Sequence, residues 1–458
     1  MVELRSLRSA GRAWALAGAI IASGLSWLGA TPAHAVPAFA EQIGQPCQAC
    51  HVGGFGPQLT TFGRNFKLHG YTARTDSFNV PLSAMAVASF VNTAKAQTPT
   101  PGFGPNNNFA LDQISVFFAG GLGQHLGAFI QTTYDGIARA FTWDNLDVRA
   151  VTTVQIKDAD VLLGASLNNS PTVQDAWNTT PAWGYPYTGS ALAPSPSASP
   201  LMSGALAQTS LGMTAYAWID SKYYVEAGAY GSPGATTLTH LGADPTSPGS
   251  IKGLAPYARI AYQRDVDGGT LEVGAFGMRT SIYPALDRSI GLTDDFTDVG
   301  FDASYIKTLA SSDVITANLR YMHEQQDLNY TCSPLNGAID CPTGNSLNDV
   351  RADVSYYWRD KIGGTVQVFD TSGSANSYVY QTLGGNRIGK PDSAGVTVQL
   401  DGTPFGNGGS PFGSRFNMRV GVQYSFYTQY NGASSNYDGM GGKASDNNTL
   451  RVFTWIAY

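Results

Sequence analysis

Cys47, Cys50 and His51 stand in the run Cys-Gln-Ala-Cys-His, the stretch of this 458-residue chain whose residue types and spacing are most suited to redox or metal chemistry. C-x-x-C-H is the attachment pattern of a c-type haem. The two thiols form thioether bonds to the porphyrin, and the imidazole beside the second becomes the proximal iron ligand. A structural zinc site needs four ligands and usually a second pair, and the sequence holds no other C-x-x-C. A thioredoxin-like redox pair has the same spacing, but no βαβ pattern surrounds this one. The expectation is therefore one covalent haem c on Cys47, Cys50 and His51. Its sixth iron position calls for a second ligand. His69, 18 residues beyond His51, is the first candidate and Met85, which would raise the potential, the alternative. The plainer reading of His69 is a polar residue facing lumen water.

The surrounding elements set the compartment. Arg5, Arg8 and Arg12 precede an apolar run to about Ala30, and Ala33-His34-Ala35 supplies a small-x-small cleavage site, so residues 1–35 read as a secretory signal peptide. Its removal moves the formal charge from −6 to −8 and leaves no run of like charges, which argues against nucleic acid as a partner. In an oxidising compartment Cys332 and Cys341, close together in a polar stretch, are expected to form a disulfide. Residues 36–78 form a compact haem-bearing segment of roughly 40 residues, too short to build its own core. Its cover must come from elsewhere.

Residues 79–458 supply it. The 458-residue chain as a whole is rich in Gly (53) and Tyr (23) with only 13% charged residues, and past the leader no run approaches the roughly 20 apolar residues of a spanning helix. Instead the pattern turns to period two, as in Phe416-Asn-Met-Arg-Val-Gly-Val-Gln-Tyr-Ser-Phe426. Such strands have one oily and one wet face. About 16 of them are expected, centred near Val87, Ile114, Phe129, Val148, Leu163, Met213, Val225, Ile260, Val273, Ala303, Leu319, Val354, Val366, Val398, Val420 and Val452. Short turns alternate with long Gly/Ser/Asn/Pro-rich loops, and the chain stops on an alternating strand ending in Tyr458. These features describe an all-β chain: an antiparallel transmembrane barrel of the bacterial outer membrane, in contact with its lipid, with the N-terminal segment in or at the lumen. A soluble β-sandwich or propeller is the competing fold. The 14-residue link from Asp401, where a short turn is due, is the exception to the barrel's alternation of short turns and long loops. Strand parity turns Asp147, Arg149, Glu226, Arg259, Glu272, Asp302, Arg320, Glu324, Arg351, Asp353, Arg419 and Arg451 inward.

The stretch Val36-Pro-Ala-Phe-Ala, then Cys47-x-x-Cys-His51, then Phe62-Gly-Arg-x-Phe-Lys-x-x-Gly-Tyr71 resembles the N-terminal signature of the fused outer-membrane monohaem cytochrome-porins, the extracellular Fe(II) oxidases of iron-oxidising bacteria. Glu41 departs from that pattern, where a basic residue is expected. The resemblance implies an oxidoreductase that takes electrons from extracellular Fe2+ through the haem and passes them to a periplasmic acceptor, a soluble cytochrome or copper protein. A solute porin with the haem segment as plug, and an outward electron conduit to an external acceptor, are the alternatives.

Overall fold

A computed structural model describes residues 37–75, 80–381, 388–413 and 415–458. The expected signal peptide, residues 1–35, and the boundary between residues 78 and 79 lie outside the described residues.

Sixteen long strands form one closed sheet, with a two-residue strand, Ser250–Ile251, paired to its rim. Each of the sixteen expected strand centres falls inside one of them. In chain order β1 is Leu82–Thr93, β2 Asn108–Gly121, β3 Leu126–Asp135, β4 Ala140–Ile156, β5 Ala159–Asn168, β6 Leu211–Ile219, β7 Tyr223–Gly231 and β8 Ala255–Val266. The second half runs β9 Gly269–Tyr283, β10 Asp294–Thr308, β11 Val314–Leu328, β12 Gly344–Trp358, β13 Ile362–Gly373, β14 Ser393–Gly402, β15 Asn417–Gln429 and β16 Thr449–Ala457. Every neighbour is antiparallel, and β1 closes on β16 with Val87 opposite Trp455 and Phe90 opposite Val452. Closure leaves no open edge to be satisfied by lipid.

Alternation sorts the side chains. Ile260, Leu319, Val354, Leu400 and Val452 are exposed on the outer face, while Arg259, Asp353, Arg419 and Arg451, one position away, are buried inside. Of the twelve charged residues assigned to the interior, eleven are buried and Arg351 is half-buried. The turns at one end are tight. Asp220–Ser221, Asp267–Gly268 and Arg359–Asp360 each place two consecutive residues at positive φ, the twist that suits a two-residue hairpin.

The interior is filled. Residues 37–75 lie in the end nearer the tight turns, and the 169–210 connection between β5 and β6 folds into the lumen from the other side. Asn169, Thr172, Val173, Gln174, Asp175 and Trp177 on it are almost fully buried. The 403–416 link is also accounted for, because the Gln48 N–H donates to Gly406 O (3.0 Å) from the segment above it. It is long because it wraps the base of that segment.

Candidate functional site

The lumen-lodged segment has three short helices: α1 Pro37–Ile43, α2 Cys47–Cys50 and α3 Thr61–Leu68. Thr60 caps α3, its hydroxyl accepting from the Gly63 N–H at 3.1 Å. The helix ends in a Schellman arrangement: Tyr71 N–H donates to Phe66 O, Gly70 N–H to Lys67 O, and Gly70 takes φ +64°. Gly63 is required by contact. A Cβ there would stand 2.3 Å from Cys50 O, so α3 lies directly on α2. Phe39 stacks on Tyr71 (5.1 Å) and meets Phe66 edge-on (5.1 Å), which ties α1 to the end of α3.

The barrel wall grips this segment through polar contacts. Tyr71 OH donates to Asp147 Oδ2 (2.6 Å), Arg149 donates to Lys67 O (3.0 Å), and Tyr216 OH donates to Leu68 O (2.6 Å). On the opposite wall the Gly53 N–H donates to Asp360 Oδ1 (2.5 Å), while Arg419 donates to Val52 O and Gly53 O at 3.3 Å and pairs with Asp401 at 3.3 Å. Glu41 is paired with Arg415 at 3.7 Å. The inward loop grips from above: Lys67 Nζ donates to Val173 O and Asn178 Oδ1, both 2.8 Å, and lies over the Trp183 ring. Asn178 Nδ2 donates to Pro57 O (2.7 Å). Burial, with Arg149 adding to it, pulls the Lys67 ammonium down to about 7.

The loop is held by charge in turn. Arg259 reaches Asp302 at 2.7 Å, Glu272 at 3.1 Å and the loop's Asp175 at 3.4 Å, all fully buried. Burial alone would raise Asp175, yet Arg259, Lys67 and the Thr179 and Thr180 N–H groups hold it at about 2. The loop then crosses the lumen. Arg451 donates to Thr188 O (3.0 Å), Tyr427 OH to Pro194 O (2.7 Å), and Leu201 N–H to Glu324 Oε2 (2.5 Å). Leu201, Met202 and Leu206 pack with Tyr257, Phe276 and Met322 on the wall. The signal for this inward course was in the composition of the loop: Trp177, Trp183, Leu201, Met202 and Leu206 are poor residues for an external loop.

Between segment, loop and the β1–β4 wall lies a cavity of about 310 Å³, lined among others by Cys50, His51, Phe66, Lys67, Met85, Phe129, Trp183 and Trp455.

The expected cofactor must be corrected. Among the described residues no group of three or more His, Cys, Asp or Glu side chains is placed to hold a metal ion, and the assignment of one covalent haem c to Cys47, Cys50 and His51 falls on that finding. The two thiols are packed into the docked segment: both are buried, Cys47 against Ala40, and burial pushes Cys50 up to about 12 and Cys47 higher still. The two candidates for the sixth iron position have other partners. The His69 ring bonds Asn65 O of its own helix at 2.9 Å, away from the cavity. Met85 lines the same cavity as His51, and its sulfur accepts from Trp455 Nε1 at 3.1 Å. Cys332 and Cys341 form a disulfide in the loop between β11 and β12.

A closed sixteen-strand antiparallel barrel with an apolar outer face and a polar, charge-paired interior is a porin-like barrel of the bacterial outer membrane. Among the described residues no helix is long and apolar enough to cross a membrane. The chain is similar to OmpT of Vibrio cholerae at 12% identity, covering 84% of this chain and 100% of that one, with a TM-score of 0.41. It is also similar to the anion-selective porin of Comamonas acidovorans (13% identity, 82% and 98% covered, TM-score 0.42). OprB of Pseudomonas putida is a third such structure (12%, 82% and 94%, 0.44). No family model and no curated protein matches the chain.

Proposed function

We propose that the chain is an outer-membrane solute porin whose N-terminal segment is a resident plug. The observation that carries this reading is how the segment is held. Residues 37–75 dock on the inner wall through hydrogen bonds from Arg149, Tyr216, Arg419 and Asn417, worth about 1 kcal/mol net for the neutral donors and about 1.5–3 kcal/mol for the two arginines. Such contacts can be exchanged for water one at a time, whereas the wall itself is a continuous ladder. The polar inner face and the paired charges across it suit passage of hydrated solutes.

The test is solute uptake. Proteoliposomes holding the full chain should admit small uncharged solutes slowly, and Arg149→Ala with Arg419→Ala, which removes grips on both sides of the plug, should admit them several-fold faster. Liposomes as tight as protein-free ones in both cases would refute a porin.

A further inference from the structure

Asp298 and Glu324 stand directly opposite each other on β10 and β11, each the fifth residue from the loop end of its strand, and each has 1% of its surface exposed. Like charges in that register repel. No Lys, Arg or His among the described residues forms an ion pair with either carboxyl. The neighbouring elements do not supply the missing charge. Met278 on β9 lies opposite Asp298, and Leu347 on β12 lies opposite Glu324. Asp302, further along β10, is paired with Arg259 at 2.7 Å, and Asp349 on β12 with Arg320 at 3.4 Å and Arg351 at 3.0 Å. His323 takes the other face of β11, where its Nδ1 bonds Asn348 Oδ1 at 2.9 Å. Tyr380, buried on the short helix Ser377–Tyr380, adds only a neutral phenol.

The four carboxyl oxygens are unequal. Glu324 Oε2 accepts from Leu201 N–H (2.5 Å) and Oε1 from Gln326 Nε2 (2.6 Å), while Asp298 Oδ2 accepts from Met202 N–H (3.3 Å). Asp298 Oδ1 is buried and has no donor. Two carboxylates side by side out of water cannot both ionise, and one proton shared between them removes the repulsion. Asp298 Oδ1 is where that proton completes the pattern, because as an O–H it becomes a donor to Glu324. A metal ion would not complete it, since two backbone N–H groups and an amide already point their hydrogens at the pair.

We infer that Asp298 and Glu324 form a proton-binding latch for the inward loop: one shared proton, on Asp298 Oδ1, lets the pair receive the Leu201 and Met202 N–H groups, and its loss as pH rises drives that turn off the wall. Loss leaves two buried charges facing each other, which water entering between loop and wall relieves. The turn Leu201–Ser203 is where the loop meets this part of the wall, with Leu201, Met202 and Leu206 in its apolar contact. The latch goes beyond the porin reading and does not need it, because release of the loop is read directly and not through solute flow.

Hydrogen exchange followed by mass spectrometry, on the full chain in lipid nanodiscs, is the test. With rates corrected for the base-catalysed exchange of a free chain, peptides covering Leu201–Ser203 should lose protection at least roughly tenfold between about pH 6 and about pH 10. Asp298→Asn puts a fixed amide donor where the proton is held, so the segment should stay protected across the whole interval. Glu324→Gln gives Asp298 Oδ1 its donor from the other strand and should do the same; heat-modifiable gel mobility shows that each barrel is folded. Unchanged protection in the native chain would overturn the latch. So would a loss of equal size in the folded variants, which would place the pH response elsewhere.

Discussion

Asp360 sits in a two-residue turn and accepts the Gly53 N–H from inside the barrel, with the carboxyl largely out of water. Burial pushes it up to about 7, against the opposing effects of that N–H and of Arg419. The folded state therefore holds the proton more tightly than the unfolded chain, whose carboxylates titrate near ~4. The contribution is fully present below about 4 and is lost as pH rises through 7. Thermal midpoints measured across that interval should fall with pH, and Asp360→Asn, which keeps an acceptor for Gly53, should flatten the fall. An unchanged slope in the variant would show that Asp360 is not responsible. Lys67, pulled down to about 7, acts in the window above, where stability should instead rise with pH toward the ordinary lysine range. The second prediction at this scale concerns Gly63. A Cβ at 2.3 Å from Cys50 O meets backbone that cannot swing aside, so Gly63→Ala should destabilise plug docking by about 1–3 kcal/mol. Faster proteolysis of residues 37–75, with the barrel intact on gels, is the measure.

At the scale of elements, Arg259 is the wall cation that the inward loop's buried carboxylate pairs with. Arg259 compensates Asp175 on the loop and Glu272 and Asp302 on the wall. Removing one partner from such a buried group costs about 3–5 kcal/mol, because the remaining charges are left without water or countercharge. Arg259→Ala should accordingly lower the thermal midpoint and expose the 169–210 loop to protease, and an unaffected variant would mean that the loop's other contacts hold it without this cation. The strands themselves were legible in the sequence because a side-chain period of two is a local property: Ile260 and Arg259 declare their faces by being neighbours. The inward loop was legible only in part: Trp177, Leu201 and Met202 mark it as unsuited to an external course, but its destination is set by distant partners. Asp175 meets Arg259 and Tyr427 meets Pro194 only after the barrel has closed. The motif at Cys47, Cys50 and His51 shows the same limit in the other direction. Spacing fixes which side chains can lie together, but not what the surrounding packing lets them do, and here the segment is packed as a plug around buried thiols.

For the whole molecule, the barrel is a stable wall and the two occupants of its lumen are the variable part. The plug has three short helices and no large core of its own, and it draws its cover from wall residues such as Tyr216, Arg149 and Tyr357, on which Val52 packs, and from the loop's Asn178 and Trp183. The 403–416 link completes the seal from below, with Gly406 against Gly54 so closely that a Cβ on Gly54 would stand 2.8 Å from it. Single-channel conductance in planar lipid bilayers tests this division most directly, comparing the full chain with one lacking residues 37–75. The account predicts small, infrequent openings from the full chain and a steady conductance at least several-fold larger from the shortened one, whose barrel should still show heat-modifiable mobility. Equal conductance from the two, with both barrels folded, would contradict it.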